Sequence, residues 1–311
     1  MLYPNIIEAI GNTPLVELQR LSPSKDVRFF AKLEGQNPTG SVKDRIAKYM
    51  IEAAERSGEL TPDRTVLEPT SGNTGISLAM ICRLKGYKLK VVMPESVSEE
   101  RTQLLKAFGA EIVYSDGLKG TNGSIAVAQE LAAQEPDYLM LYQYGNEANP
   151  RAHYETTGPE ILRDLPETDV FVAGLGTGGS LTGVGHYLKE QRPDVKIVAC
   201  VPHPGDLVQG LRSLDEGFIP PVLDESVLDG KIVVDSPTSF AATKELTQQE
   251  GIFAGISSGA VLRTAQRVAE RLDRGNVVLL LADGGWKYLS TELWSKDYDE
   301  MAEEIEGKVW W

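Results

Sequence analysis

Lys43 is the first residue whose setting suggests chemistry. It stands in Asn37-Pro38-Thr39-Gly40-Ser41-Val42-Lys43-Asp44-Arg45, between a strand-like run from Val27 to Glu34 and a stretch with Ile46, Met50, Ala53 and Ala54 at helical spacing. Pro38 and Gly40 interrupt both strand and helix, so the chain turns there. The apolar spacing after the turn predicts an amphipathic helix. Lys43 then falls in its first turn, beside unpaired N–H groups and the positive end of the helix dipole. That field disfavours an ammonium and favours a neutral amine, the form that attacks a carbonyl to make a Schiff base. From position alone, an ordinary solvated lysine competes with this reading.

Two glycine-rich turns bear on the choice. Glu68-Pro69-Thr70-Ser71-Gly72-Asn73-Thr74-Gly75 follows a short strand, Thr65 to Leu67, and precedes a helix from Ile76 to Leu84. Its hydroxyls, amide and glycines present several N–H and O–H donors at a helix start, a setting suited to a carboxylate or phosphate. A plain turn with Ser or Thr as N-cap would look similar. Gly174-Leu175-Gly176-Thr177-Gly178-Gly179-Ser180 follows the apolar Val170-Phe171-Val172-Ala173 and opens another helix. Its glycines let backbone approach a bound group closely. Two anion sites and an amine nucleophile together suggest a cofactor carrying a phosphate and an amino-acid substrate carrying a carboxylate. The second loop also satisfies G-x-G-x-x-G, but the strand Val195 to Val201 ends in Pro202-His203 without the acidic residue a dinucleotide fingerprint needs. No Gly-Lys-Ser/Thr phosphate loop is present either.

The elements that must hold these turns alternate along the chain. Strand-like runs lie near Val27–Leu33, Leu89–Met93, Glu111–Tyr114, Leu139–Tyr142, Asp169–Ala173, Val195–Val201 and Val277–Leu281, with helical spacing between most of them, as over Glu99–Phe108 and Ser124–Ala133. That alternation predicts an α/β fold of parallel sheets flanked by helices. The 311 residues suffice for two domains of roughly 150 residues each, with a boundary expected in the turn-rich Gly145-Asn146-Glu147-Ala148-Asn149-Pro150. A net charge of −14 argues against nucleic acid. Cys82 and Cys200 lie in apolar runs and read as small core residues, which fits a reducing cytoplasm. The strongly apolar run Val277 to Ala282 is far short of the ~20 residues that span a bilayer. No secretory signal is visible in Met1 to Asn5, so neither membrane nor export is expected.

The three turns, in this order, resemble those of the fold type II pyridoxal-phosphate enzymes, as does Gly251-Ile252-Phe253-Ala254-Gly255-Ile256-Ser257-Ser258-Gly259. Within that group the chain resembles the cysteine synthase family, close to its B-type and O-phosphoserine-using branches. The resemblance runs from Ile10-Gly11-Asn12-Thr13-Pro14-Leu15 to Asp283-Gly284-Gly285-Trp286-Lys287-Tyr288-Leu289-Ser290-Thr291. It implies two open, mainly parallel twisted sheets flanked by helices, like tryptophan synthase β. A smaller, mobile substrate-carboxylate domain would span 35–145, and a larger cofactor-phosphate domain 1–34 plus 146–311.

The resemblance also implies roles. Lys43 would bind pyridoxal 5'-phosphate and act as general base; Gly176, Thr177, Gly178, Gly179 and Ser180 would take the phosphate. Asn73 would approach the ring oxygen, and Ser257 the pyridine nitrogen, with Ser258 as its adjacent rival. Thr70, Ser71, Asn73, Thr74 and Gln143 would receive the substrate carboxylate. Arg212 lies where the family borders the cleft entrance and would read a phosphate or thiosulfate, unless it pairs with Asp215 or Glu216. The implied activity is cysteine synthesis by β-replacement on O-phosphoserine or O-acetylserine, through an aminoacrylate, with a sulfur donor. Cystathionine β-synthase-like or serine/threonine deaminase activity is the alternative on the same fold. A silent partner of a serine acyltransferase is the non-enzymatic one. A homodimer is implied, with a serine acetyltransferase or sulfur-carrier protein as candidate partners. The tail, Gly307-Lys308-Val309-Trp310-Trp311, reads as a docked segment or as a lid.

Overall fold

The computed structural model describes residues 2–298 apart from Ser71, Leu207, Asp215, Glu216 and Asp297, so the Trp310-Trp311 tail lies outside the described residues. Along the chain the strands are β1 (Leu15–Glu17), β2 (Val27–Leu33), β3 (Thr65–Pro69), β4 (Lys88–Pro94), β5 (Glu111–Ser115), β6 (Tyr138–Met140), β7 (Val170–Gly174), β8 (Lys196–Pro202), β9 (Gly230–Val234) and β10 (Gly275–Leu281). The α-helices are α1 (Lys43–Ser57), α2 (Asn73–Lys85), α3 (Glu99–Ala107), α4 (Gly120–Gln134), α5 (Ala148–Ala152), α6 (Gly158–Asp164), α7 (Gly179–Gln191), α8 (Ser236–Glu250) and α9 (Ile256–Ala269). They flank two open sheets, ordered β1-β2-β10-β7-β8-β9 and β5-β4-β3-β6. Every pairing is parallel except β1 with β2.

Period-two alternation divides the cores. In the six-stranded sheet Phe29, Val172, Cys200 and Leu279 point to one face, packed under α8 and α9. Phe30, Phe171, Ala199 and Val278 point to the other, under α6 and α7. In the four-stranded sheet Val66, Val91 and Met93 face α1 and α2, while Leu67 and Val92 face α4. Burial on both faces is why these strands read as continuous apolar runs. Helix α1 buries Ile46, Ala47, Met50, Ile51 and Ala54, and stops at Gly58, whose φ of 77° suits a residue without Cβ.

Cys82 and Cys200 are free and buried in the core, as expected. No helix among the described residues is long and apolar enough to cross a membrane. Several boundaries differ from the sequence reading. β1 spans three residues, too few for a period to register. β9 is an edge strand whose Lys231 and Val233 are exposed, so its apolar pattern is diluted. The expected strand Leu139–Tyr142 ends at Met140, because Tyr142 turns to a φ of 57° and both it and Gln143 give their N–H groups to the Glu68 carboxylate. Helix α2 starts three residues earlier than Ile76, since Gly72, at a φ of 150°, already offers its carbonyl to the Ile76 N–H.

Candidate active site

Parallel sheets place ligands outside the carboxyl ends of their strands. Here the turns that follow β2, β3, β6, β7 and β10 converge at that edge. The Val42 N–H bonds the Ala282 carbonyl at 2.8 Å, and the Gly284 N–H bonds the Gly40 carbonyl at 3.2 Å, so the Lys43 turn is stitched to the end of β10. The turns enclose a cleft. Lys43, Thr70, Asn73, Thr74, Gln143, Gly176, Thr177, Arg212 and Ser257 all line it. An adjoining recess is walled by Lys43, Gly176, Thr177, Gly178, Ser180 and Ser257. Gly179 stands behind the wall: a Cβ there would sit 1.9 Å from Asn149 Oδ1, so only glycine lets α7 start at this place. Ser258 is buried but lines neither space, whereas its neighbour Ser257 lines both. Ser71 lies outside the described residues.

Lys43 is the first residue of α1. Burial holds its amine below the ordinary lysine range, against the opposing charges of Asp283 and Glu34. Loss of hydration is the largest cause of that shift. The helix start is anchored by a buried ion cluster. Arg45 binds Glu34 and Glu160 at 2.7 Å each, and Lys32 binds Glu160 at 2.7 Å and the Thr13 carbonyl at 2.6 Å. Burial raises the Glu160 carboxyl, yet Arg45 and Lys32 outweigh it and bring it down to about 2. On the other side Asp44 accepts from the Thr39 N–H at 2.7 Å, the Ser77 hydroxyl at 2.5 Å and the Thr39 hydroxyl. The turn is thus clamped on both flanks of Lys43.

The two anion-type turns are also braced. Thr177 Oγ1 accepts from Asn149 Nδ2 at 3.0 Å and from the Gly179 N–H at 3.3 Å, closing the loop onto the start of α7. Gly178 caps that helix at a φ of 86°. Ser180 Oγ lies 3.4 Å from Nε2 of His153, which burial and the nearby Arg45 push down to about 3, leaving a neutral ring. Across the cleft, the Thr74 hydroxyl donates to Gln143 Oε1 at 2.7 Å, while Gln143 Nε2 donates to the Pro69 carbonyl at 3.4 Å. Burial pushes the Glu68 carboxyl beneath it up to about 8, against the N–H bonds it accepts.

Arg212 is 8% exposed and lies over the rings of Phe218 and Tyr144, at 4.8 and 5.3 Å, with one N–H bonded to Asn122 Oδ1 at 3.1 Å. Among the described residues no carboxylate pairs with it; Asp215 and Glu216 lie outside that set. The sequence reading missed Arg101, Thr121, Tyr144, Asp283 and Tyr288 in the same lining, and Lys287 behind it. Asp283 carried a signal: it directly follows an apolar parallel strand, where functional side chains collect. Arg101 carried none, since it sits in a charged surface-like helix.

A primary amine of lowered basicity, an open helix start with glycine backbone around it and a hydroxyl on the same recess form a donor set that fits a phosphate-bearing aldehyde. Such a site between two parallel sheets is that of a pyridoxal-phosphate enzyme. The chain belongs to that family: residues 6–283 match the model of the pyridoxal-phosphate dependent enzymes. It is a cysteine synthase-like member. A cysteine synthase of Staphylococcus aureus (strain N315) is 45% identical over 303 residues, covering 94% of this chain and 97% of that one. Among solved structures, a hydrogen sulfide-producing enzyme from Fusobacterium nucleatum matches with a TM-score of 0.88 and 42% identity, over 92% of this chain and 100% of its own. O-ureido-L-serine synthase matches with a TM-score of 0.89 and 40% identity, over 97% and 100%.

Proposed function

We propose that the chain is a cysteine synthase that replaces the β-substituent of an O-activated L-serine with a sulfur nucleophile, and that O-phosphoserine is its preferred substrate. The buried Arg212 guanidinium in the cleft lining, with no carboxylate partner among the described residues, carries this reading. A planar, permanently charged donor in that state suits a bidentate phosphate.

Pyridoxal phosphate, when bound, supplies the electron sink for negative charge at the substrate Cα. The chain's own groups do the rest. The N–H groups opening α7, with Thr177 and Ser180, would hold the phosphate. Thr70, Ser71, the Asn73 backbone N–H at the start of α2, Thr74 and the Gln143 amide would orient the substrate carboxylate. Lys43 Nζ, poised toward its neutral form by burial, takes the proton from Cα as general base. Ser257 would offer the ring nitrogen a hydroxyl rather than a carboxylic acid, a partner that would leave that nitrogen unprotonated and favour expulsion of the β-group over transamination. A silent binding role would have no use for a half-buried lysine clamped on both sides.

The test compares two substrates. Arg212→Ala should cost roughly 10²-fold in kcat/KM for O-phosphoserine, about 2.7 kcal/mol of transition-state binding, and far less for O-acetylserine. Equal losses would remove Arg212 as the phosphate reader. Accumulation of pyruvate in place of cysteine when sulfide is supplied would favour deaminase chemistry instead.

A further inference from the structure

Asn73 is held at both ends of its side-chain amide. Its Nδ2 donates to Asp283 Oδ2 at 2.7 Å, and its Oδ1 accepts from Lys287 Nζ at 2.7 Å. The Tyr288 hydroxyl donates to the same Asp283 oxygen at 2.5 Å. Lys287 is wholly buried, and among the described residues no carboxylate is in ion-pair contact with it. Its backbone is fixed too, the carbonyl accepting from the Ser98 hydroxyl at 3.3 Å. Burying a cation without a directly paired anion is costly, so the interaction it does make calls for an explanation.

An amide can exchange its oxygen and nitrogen by a half-turn with almost no change of shape. Between a carboxylate that only accepts and an ammonium that only donates, one orientation alone makes both bonds. With Oδ1 committed to Lys287 and one N–H to Asp283, the second N–H of Asn73 is left for an acceptor in the cleft that Asn73 lines. We propose that Lys287 is a positioning residue of this active site: its ammonium locks the Asn73 amide so that an N–H, not the oxygen, is presented to the ring oxygen of the cofactor. The inference rests on the placement of Asn73 against that ring oxygen.

The charge state fits the task. Burial pushes the Lys287 amine down to about 8; Asp283 and Asp44 oppose this, while Arg101 and Lys43 add to it. At neutral pH the group is an ammonium, a donor only. Above about pH 8 it becomes an amine that accepts as well as donates, and the lock loosens.

The experiment uses the holoenzyme without substrate. Cofactor affinity and the visible absorption band are measured for the parent, Lys287→Met, Lys287→Arg, Asn73→Ala and the Met/Ala double variant. Lys287→Met should weaken cofactor binding about tenfold, as expected for one misdirected hydrogen bond at a buried site, and should shift the resting band. Lys287→Arg, still a donor only, should restore the parent band. In the Asn73→Ala background Lys287→Met should change nothing further. A Lys287→Met protein with parent affinity and band, or equal effects of that change with and without Asn73, overturns the proposal. If Asn73→Ala itself leaves the band and affinity at parent values, the placement of Asn73 fails instead. Should the Met variant not fold, Lys287→Leu, which can neither donate nor accept, replaces it with the same expected and overturning results.

Discussion

At the residue scale the site depends on a few side chains whose environment changes their chemistry. Lys43 is the sharpest case, because burial lowers its basicity while Asp283 and Glu34 restrain the shift. Lys43→Ala should abolish covalent retention of the cofactor after borohydride reduction and lower cysteine formation by at least about 10³-fold, in the range of a lost general base. Absorbance of the reduced, denatured protein checks the first effect and a sulfide-dependent assay the second. Retained label would move the Schiff-base role to another lysine. Lys43, Asn73 and Thr74 were legible in the sequence because each sits in a turn whose glycines and hydroxyls are contiguous. Asp283 and Lys287 were not, since their partner Asn73 is more than 200 positions away in sequence.

At the element scale the work is done by strand ends and helix starts. Gly178 caps α7 at a φ of 86°, and a Cβ there would come within 2.7 Å of Leu223 Cβ. Gly178→Ala should therefore cost roughly 1–2 kcal/mol in the left-handed conformation alone and displace the loop that faces the recess. The expected outcome is cofactor affinity lowered tenfold or more, with a modest fall in melting temperature, read by fluorescence titration and calorimetry. Unchanged affinity would show that the loop does not hold the phosphate. Most strands were legible from their apolar runs, as in β2, which spans the residues read from sequence. β9 escaped because an edge strand buries only one face.

At the scale of the whole molecule, two sheets with separate cores meet at the cleft. We propose residues 35–145 and residues 1–34 with 146–311 as the two bodies that close on substrate. The Arg45 cluster ties the α1 end of the smaller body to Glu34 and Glu160 of the larger, so closure would pivot from there and carry β4, β5 and α3. That cluster also sets an acid response. Glu160 falls to about 2 in the folded chain, below the ordinary 4.5, so between those values the unfolded state binds more protons. Stability should be fully present above about pH 4.5 and be lost as pH falls toward about 2, by about 3 kcal/mol for this group. Melting temperatures from pH 6 to pH 2.5 test this, with Glu160→Gln expected to flatten that segment of the curve. An unchanged slope would assign the acid response to other carboxylates.

By itself the sequence determined the fold class and the glycine-rich turns that line the cleft. Hydrophobic period and glycine placement are local properties, and they survive in a string of residues. Only the tertiary structure decided what depends on dehydration and on distant partners. It brought five strand ends to one cleft and set Ser257 rather than Ser258 on its wall. It buried Arg212 over two aromatic rings and closed Asn73 between Asp283 and Lys287. Charge strength and hydrogen-bond direction are set by what surrounds a group in space, and no spacing along the chain encodes that.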